Sequence, residues 1–506
     1  MVSDMKKTCF VYTAGPALQS QLALQDEAEK MLAEGYEVHF AYCCGIMDYC
    51  YLNYERRPSV CRFCRYFSRK LAKALPPEVV IHPLKPRNDV HEVPEFHSAA
   101  DVKKIQYRDA NIGYGALSTF ISLTRNCDPV MGSEATALFR HNLSELHKLT
   151  DALAELLDEL KPDLVSLYNG RWDNNRSLFD MARARGIKLH CLECSGTRLN
   201  AHQHISPIVY DSIPQDIKSF KHRIERVWQL APEPEEEKTR IGKDFFNKRR
   251  GGIAAGDYCY TATQKRGELP AGWDDSKINI AIFNSSEDEY ASVGAEFDRY
   301  SLFPSQLTAL NYLFSQVTDP KYHFYLRVHP NLRNIPFRYH TDLYELDKKY
   351  ANVTVIRADE PASTYDIMAA AEKVVVFGST MGLESAYWGK PVILLAGSMY
   401  YEFDLCHTPK TPEEFIGMVQ SELKPISSDA FPMIGYYFEH QYLQARPLSE
   451  KYLRHSVKLP FIKKRFTVCG VYRFCGSAVL MRIVEEMTFK LCRLLPGKFR
   501  LDFFRH

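Results

Sequence analysis

VVVFGSTMGLESAYWGKPVILL, from Val374 to Leu395, reads as strand, turn, helix and second strand in 22 residues. Val374 to Phe377 is a β-branched and aromatic run that suits a buried parallel strand, and Gly378-Ser379-Thr380 then turns the chain into a helix. The N-terminus of that helix suits a diphosphate: it offers unpaired backbone N–H groups, the positive end of the helix dipole and two hydroxyls. Glu384 follows about one turn further in, where a carboxylate can accept both hydroxyls of a ribose. The alternative is an ordinary βαβ crossover with a Ser-Thr N-cap.

Two more segments upstream share the strand-then-polar-loop pattern. His323 to Val328 is a strand pattern that ends in His329-Pro330-Asn331. Proline ends the strand and holds His329 at its C-terminal edge, where open parallel sheets bind ligands. Alternation places Arg327 and His329 on one side of the strand, so both are candidates to meet a phosphate. The other reading of His329 is a plain turn residue. Ile278 to Phe283 is a third strand, followed by Asn284-Ser285-Ser286-Glu287-Asp288-Glu289-Tyr290. Ser285, Ser286 and Glu287 read either as a cleft-facing loop or as a capping box built on Ser286 and Glu289.

The combination FNSSEDEY, RVHPN and GSTMGLESAYWGKPVI resembles the bacterial capsule and surface-polysaccharide biosynthesis proteins, which are GT-B-type glycosyltransferases. The N-terminal half adds Asn169-Gly170-Arg171 after a strand, and then Gly186-Ile187 leading to a strand that ends at Glu193. The resemblance spans roughly residues 5 to 400 and rests on the order of short motifs. It implies that His329, Pro330, Ser379 and Thr380 hold the donor nucleotide and that Glu193 is the base. The acid stands here as Glu193-Cys194-Ser195-Gly196 rather than in the acid-x-Gly spacing of related sialyl- and Kdo-transferases.

Periodicity gives an α/β organisation of two Rossmann-like lobes with a cleft between them and a basic helical appendage. Cys9 to Thr13, the helix from Leu18 to Glu34 and the strand from Glu37 to Tyr42 open the first lobe. Leu143, Leu146, Leu149, Leu153, Leu156, Leu157 and Leu160 form one helical face that Pro162-Asp163 closes before the strand Leu164 to Tyr168. Asp26 and Glu27 read as a solvated face of the first helix. Arg171, Asp173 and Arg176 follow a strand as a catalytic loop would, or they cap the helix beyond it. Pro232-Glu233-Pro234 marks a linker. The expected boundaries are 1–230 for the acceptor-side lobe, 231–275 for the hinge, 276–450 for the nucleotide-sugar lobe and 451–506 for the tail.

Composition bounds the function classes. The 506 residues carry 64 Lys/Arg against 62 Asp/Glu, so the chain as a whole is nearly neutral. From Lys458 onward there are 11 Lys/Arg and 3 Asp/Glu, a local +8 that leaves the rest at −6. Leu480, Ile483, Val484, Met487, Leu491 and Leu494 recur there at helical spacing, either packing on the first lobe or lying on an anionic inner membrane. Nucleic acid is not an expected partner, since the charge is confined to a tail and no zinc-finger or RNA-binding motif occurs. No apolar run reaches the roughly 18 residues that span a bilayer, and no signal peptide is evident. The chain is therefore expected at the cytoplasmic face of the inner membrane, its 14 cysteines mostly thiols.

Cys43, Cys44, Cys50, Cys61 and Cys64 are the rival site. The Cys61-x-x-Cys64 spacing suits zinc or an iron–sulfur cluster, or the thiols belong to a basic loop with Arg56, Arg57, Arg62, Arg65, Arg69 and Lys70 that attracts an anionic lipid-linked acceptor. No DxD-type motif calls for a divalent ion, so no metal ligand is assigned at the transfer site.

The expected activity is transfer of a sugar from a nucleotide-sugar donor to a lipid-linked or oligosaccharide acceptor of a capsule or lipopolysaccharide O-antigen. His329, Arg327 and the Ser379-Thr380 helix N-terminus would take up the leaving charge, with Glu193 or Asp173 as base. The alternatives are a nucleotide-sugar epimerase of the same fold and a metal-stabilised, non-catalytic scaffold.

Overall fold

A computed structural model of the chain describes residues 6–14, 18–54, 56, 58–194, 207–255, 260–261, 264–441, 456–458 and 465–467. The fold is α/β with two parallel-dominated sheets, one in each of two compact units. The first unit takes Met1–Thr124 and Asp128–Pro214, and the second takes Arg125–Cys127 and Gln215–Gln444.

In the first unit the strands are β1 (Thr8–Thr13), β2 (Glu37–Cys43), β3 (Val80–Leu84), β4 (Leu164–Tyr168), β5 (Lys188–Cys194) and β6 (Pro207–Tyr210). Their order is β3-β2-β1-β4-β5-β6, all parallel except the β5–β6 pair. The chain runs outward from β1 to β3 and then returns to the other side of β1 with β4. The end of β1 and β4 is thus the point where strand order reverses, the usual ligand crevice of such a sheet.

The second unit repeats the plan with β7 (Ile278–Phe283), β8 (Tyr322–Arg327), β9 (Val353–Ile356), β10 (Lys373–Val376) and β11 (Val392–Leu394), ordered β11-β10-β7-β8-β9 and wholly parallel. Strand alternation divides its core. Ile280, Ile282, Phe324, Leu326 and Val375 pack with Leu310, Leu313 and Phe314 on one face. Ala281, Phe283, Tyr325, Val374 and Val376 pack with Phe245, Phe246 and Ile434 on the other. These near-continuous apolar strands are what a sheet covered on both faces requires. Strand order here reverses between β7 and β10.

The segment read as a hinge, 231–275, contains a packed helix, Glu235–Arg250. Its acid-first, base-last sequence (Glu235-Glu236-Glu237 to Lys248-Arg249-Arg250) complements the helix dipole, and charge hides its apolar anchors Phe245 and Phe246. A Cβ at Gly242 would sit 1.9 Å from the Pro432 carbonyl oxygen, and one at Gly435 would sit 2.1 Å from the Gly242 oxygen. Only glycine lets this helix and the helix Ala430–His440 touch backbone to backbone. The helix Ile217–Leu230, expected in the first lobe, also belongs to the second unit.

The first helix, Leu18–Ala33, corrects another expectation. Glu27 is fully buried and Asp26 nearly so, because this helix packs on β1, β4 and β5 while Gln25 bonds the Leu71 carbonyl of the helix Pro58–Ala72. Glu27 Oε1 lies 2.7 Å from His190 Nδ1, which supplies the partner a buried carboxylate needs.

The amphipathic helix expected near 480–494 lies outside the described residues. Within 451–506, Ser456–Lys458 and Arg465–Thr467 are described and pair as antiparallel strands. Among the described residues no helix is long and apolar enough to cross a membrane.

Candidate functional site

The β7, β8 and β10 strands end level with one another. Phe283 stands opposite both Arg327 and Val376, so the loops that follow emerge side by side at the C-terminal edge. The central loop is bonded to both neighbours: Asn284 Oδ1 accepts from the His329 N–H at 2.7 Å, and Ser285 Oγ donates to the Phe377 carbonyl at 2.9 Å. The three motifs separated by some 50 residues each in sequence therefore form one polar edge at the point where strand order reverses.

On the β10 side, Gly378, Ser379 and Thr380 are half-exposed. Gly378 adopts φ +83°, and a Cβ there would lie 2.4 Å from the Gly397 carbonyl oxygen, so the turn depends on glycine. Ser379 caps the helix Thr380–Tyr387, accepting from the Met381 N–H at 3.3 Å, and among the described residues no group takes its own hydroxyl hydrogen.

On the β8 side, His329 caps a short 3-10 turn, Pro330–Leu332, with Pro330 in the first helical position. Its Nδ1 accepts from the Asn331 N–H at 3.2 Å. Burial pushes the imidazole down to about 4, with the nearby Asp288 acting in the opposite sense and Arg327 and Arg125 in the same sense. At neutral pH the ring is uncharged, and the bond at Nδ1 places its proton on Nε2. His329 is therefore a neutral N–H donor.

Other residues singled out in this edge have structural partners. Arg327 points Nη1 and Nη2 at the carbonyl oxygens of Arg357 (2.6 Å) and Glu360 (2.9 Å), which ties β8 to the loop after β9 and turns the guanidinium away from the phosphate role expected of it. Ser285 and Ser286 are buried: Ser285 bonds Phe377 and Gln306, and Ser286 donates to Asp288 Oδ1 at 2.8 Å. Ser286 precedes the short helix Glu287–Tyr290 without capping it through its side chain, so the capping box is not formed. Glu287 accepts from the Gln306 N–H at 3.3 Å.

Glu384 departs furthest from its expected ribose role. It is fully buried, with Oε1 3.2 Å from Arg249 Nη2 and Oε2 taking the Tyr365 hydroxyl. The carboxylate fastens the helix Thr380–Tyr387 to Glu235–Arg250. Glu384→Ala is expected to destabilise the second unit by about 3–5 kcal/mol, because it breaks the ion pair with Arg249 and removes the buried acceptor of the Tyr365 hydroxyl. Urea unfolding checks this, and an unchanged midpoint would contradict it.

In the first unit Glu193 stands at the end of β5, half-buried. Its oxygens accept from the Tyr168 hydroxyl at 2.7 Å and from Asn169 Nδ2 at 2.5 Å. Asn169 holds φ +60°, a left-handed conformation that asparagine tolerates, and this aims its amide at the acid. Further along the loop after β4, Trp172 stacks on Tyr51 at 4.8 Å, and Ser122 Oγ receives both Arg171 Nη2 and Trp172 Nε1.

Asp173 is sealed. It opens the helix Asp173–Ala184 with no solvent exposure, bonded to Asn142 Nδ2 (3.1 Å) and the Asn174 N–H (2.7 Å), and it presents no oxygen to a substrate. Burial pushes its carboxyl up to about 6, against those hydrogen bonds and others from Thr119 and the Tyr51 N–H. The ordinary value is 3.8, so the native state keeps this proton longer than the unfolded chain does. Stability from this group is therefore full below about pH 4, falls as pH rises to about 6, and is level above that, a difference of roughly 3 kcal/mol. Asp173→Asn is expected to flatten that slope and to raise stability at pH 7.5, since Asn142 Oδ1, which has no hydrogen-bond partner among the described residues, can turn to accept from the new amide. Urea unfolding at pH 4.5 and 7.5 measures it; a wild-type slope in the variant would contradict it.

Cys43, Cys44, Cys50, Cys61 and Cys64 are free thiols, and burial pushes Cys43, Cys50, Cys61 and Cys64 up. Among the described residues the group with ligand atoms all within 4.8 Å of one another is Asp48, His141 and Glu145. Lys148 on Glu145 (2.7 Å) and Arg56 on Asp48 (3.4 Å) already balance its charge.

No protein-family model and no curated protein matches the sequence. Among solved structures the chain is similar to a KpsC beta Kdo 2,7 transferase of Thermosulfurimonas dismutans, at 15% identity and a TM-score of 0.33, over 67% of this chain and 89% of that one. It is similar also to the UDP-GlcNAc 2-epimerase of Neisseria meningitidis, at 10% identity and a TM-score of 0.21, over 96% and 100% of the two chains. A third is S. aureus MnaA in its UDP co-structure, at 9% identity and a TM-score of 0.25, over 98% and 100%. At these scores the likeness assigns no activity.

Proposed function

We propose that the chain is a glycosyltransferase that moves a sugar from a nucleotide-activated donor to a lipid-linked or oligosaccharide acceptor of a surface polysaccharide. One observation carries the reading: a neutral N–H donor, His329 Nε2, and a serine-capped helix N-terminus share the C-terminal edge of one parallel sheet, on the two strands that flank β7. Departure of a nucleotide leaves negative charge on phosphate oxygens. A fixed N–H donor and a helix N-terminus stabilise that charge with little reorganisation. Glu193, half-exposed and oriented by Tyr168 and Asn169, is the base that takes the proton of the acceptor hydroxyl. In this scheme the neutralisation comes from protein dipoles, so turnover is expected to survive EDTA.

The test is incubation of the purified protein with nucleotide sugars, with and without acceptor oligosaccharides. Acceptor-dependent release of free nucleotide is the expected result. Conversion of the sugar to an isomer without any acceptor would point to epimerisation instead.

A further inference from the structure

Arg125 reaches the same edge from far away in sequence. It follows the helix Ile112–Thr124 of the first unit, yet Arg125–Cys127 belong to the second. The residue holds φ +61°, a conformation that costs a non-glycine residue and needs fixing from outside. The fixing is visible: Tyr339 donates its hydroxyl to the Arg125 carbonyl at 2.8 Å. The guanidinium grips three groups at once. Nε and Nη2 hold the Asp288 carboxylate at 2.6 and 3.3 Å, Nη2 meets Ser286 Oγ at 3.1 Å, and Nη1 meets the Asn331 carbonyl at 3.2 Å. Asn331 in turn sends Nδ2 to Ser286 Oγ (3.2 Å) and Glu289 Oε1 (2.7 Å), while its N–H fixes His329 Nδ1.

We infer that Arg125 is a positioning residue of the nucleotide site: it clamps the Ser286–Glu289 loop to the His329–Asn331 turn so that His329 presents Nε2–H to the donor phosphate. This rests on the nucleotide-sugar reading above. A planar fork suits the task, because one rigid cation spans a carboxylate, a hydroxyl and a carbonyl that belong to two different loops. The charge also acts on His329. The groups around that ring are Asp288 from the loop after β7, Arg327 on its own strand, Arg125, and the Tyr260 ring packed edge-on at 5.0 Å. His340 feels the same Arg125 and Asp288 charges and serves as an internal comparison. Removing the guanidinium takes away a cation and leaves Asp288 unpaired, and both changes favour protonation of His329.

The experiment compares wild type, Arg125→Met and Arg125→Lys by titration of histidine Cε1 NMR signals, with His329 assigned through His329→Ala, and by nucleotide affinity for UDP, GDP, CMP and CDP. In Arg125→Met the His329 titration is expected to move up but to stay below the ordinary value near 6.5, because burial, the largest cause of its depression, remains. Nucleotide affinity should fall roughly tenfold, as for one lost charge-assisted contact. Arg125→Lys should keep the low titration and regain only part of the affinity, because a point charge cannot bridge both loops. A Met variant with unchanged His329 titration and affinity, merely less heat-stable, would overturn the proposal and leave Arg125 a structural tie. If wild type binds no nucleotide, the donor reading fails, while the His329 titration still decides whether Arg125 controls that ring.

Discussion

Glu193→Gln is expected to lower the transfer rate by about 10²–10⁴-fold, the usual worth of a general base, while nucleotide binding in the second unit stays unchanged. The amide keeps the size of the side chain and can still accept from the Tyr168 hydroxyl, which lies 2.7 Å from Oε1. The contact at Oε2 changes character, since Asn169 Nδ2 would then face either an amide NH2 or a turned carbonyl. β5 itself should be undisturbed, because Cys191 and Leu192, which build the core there, are untouched. Steady-state transfer rates together with nucleotide-dependent thermal shifts separate the two effects. Wild-type turnover in this variant would remove Glu193 from the chemistry, and Asp173 is too deeply buried to take its place.

His329→Ala is the second large effect. Loss of one preorganised donor to a developing oxyanion costs about 10²–10³-fold in turnover. Here the loss should appear in both rate and nucleotide affinity, because Nε2–H would touch the phosphate before and after bond cleavage. The fold should survive: the backbone bond from the residue 329 N–H to Asn284 Oδ1 does not need the imidazole, and Pro330 keeps the turn. The pH profile is informative too. With the ring pushed down to about 4, wild-type binding should not vary between pH 5 and 8 through this group. An inflection near pH 6.5 would mean that the ring is not held as the structure shows.

Much of the scaffold was legible because parallel strands buried on both faces announce themselves as short apolar runs. Ile278–Phe283 and Leu164–Tyr168 occur where the pattern places them, and the helix after Gly378 begins at Thr380 as its Ser cap implies. What periodicity could not convey is which polar side chains turn inward. Glu27 looks solvated in a helix rich in Gln and Glu, but its partner His190 is 163 residues away. Glu384 sits at the right distance from a phosphate-type turn to meet a ribose, yet Arg249 and Tyr365 claim both its oxygens. Arg125 carries no local signal, since its partner Asp288 is likewise 163 residues on. In the helix Glu235–Arg250, charge masks a glycine contact that becomes visible only when the two helices are brought together.

The central claim is that the edge formed by the loops after β7, β8 and β10 binds a nucleotide through His329 and the Ser379-capped helix. Thermal unfolding of the purified protein against UDP, GDP, CMP, CDP and their sugar conjugates, repeated with His329→Ala, tests it most directly. A ligand at about 100 times its dissociation constant adds roughly 2.7 kcal/mol, enough to raise the unfolding temperature by a few degrees. The account predicts a shift with one nucleotide class that is lost or much reduced in the variant. No shift with any nucleotide in a folded protein, or a shift equal in wild type and variant, would contradict it.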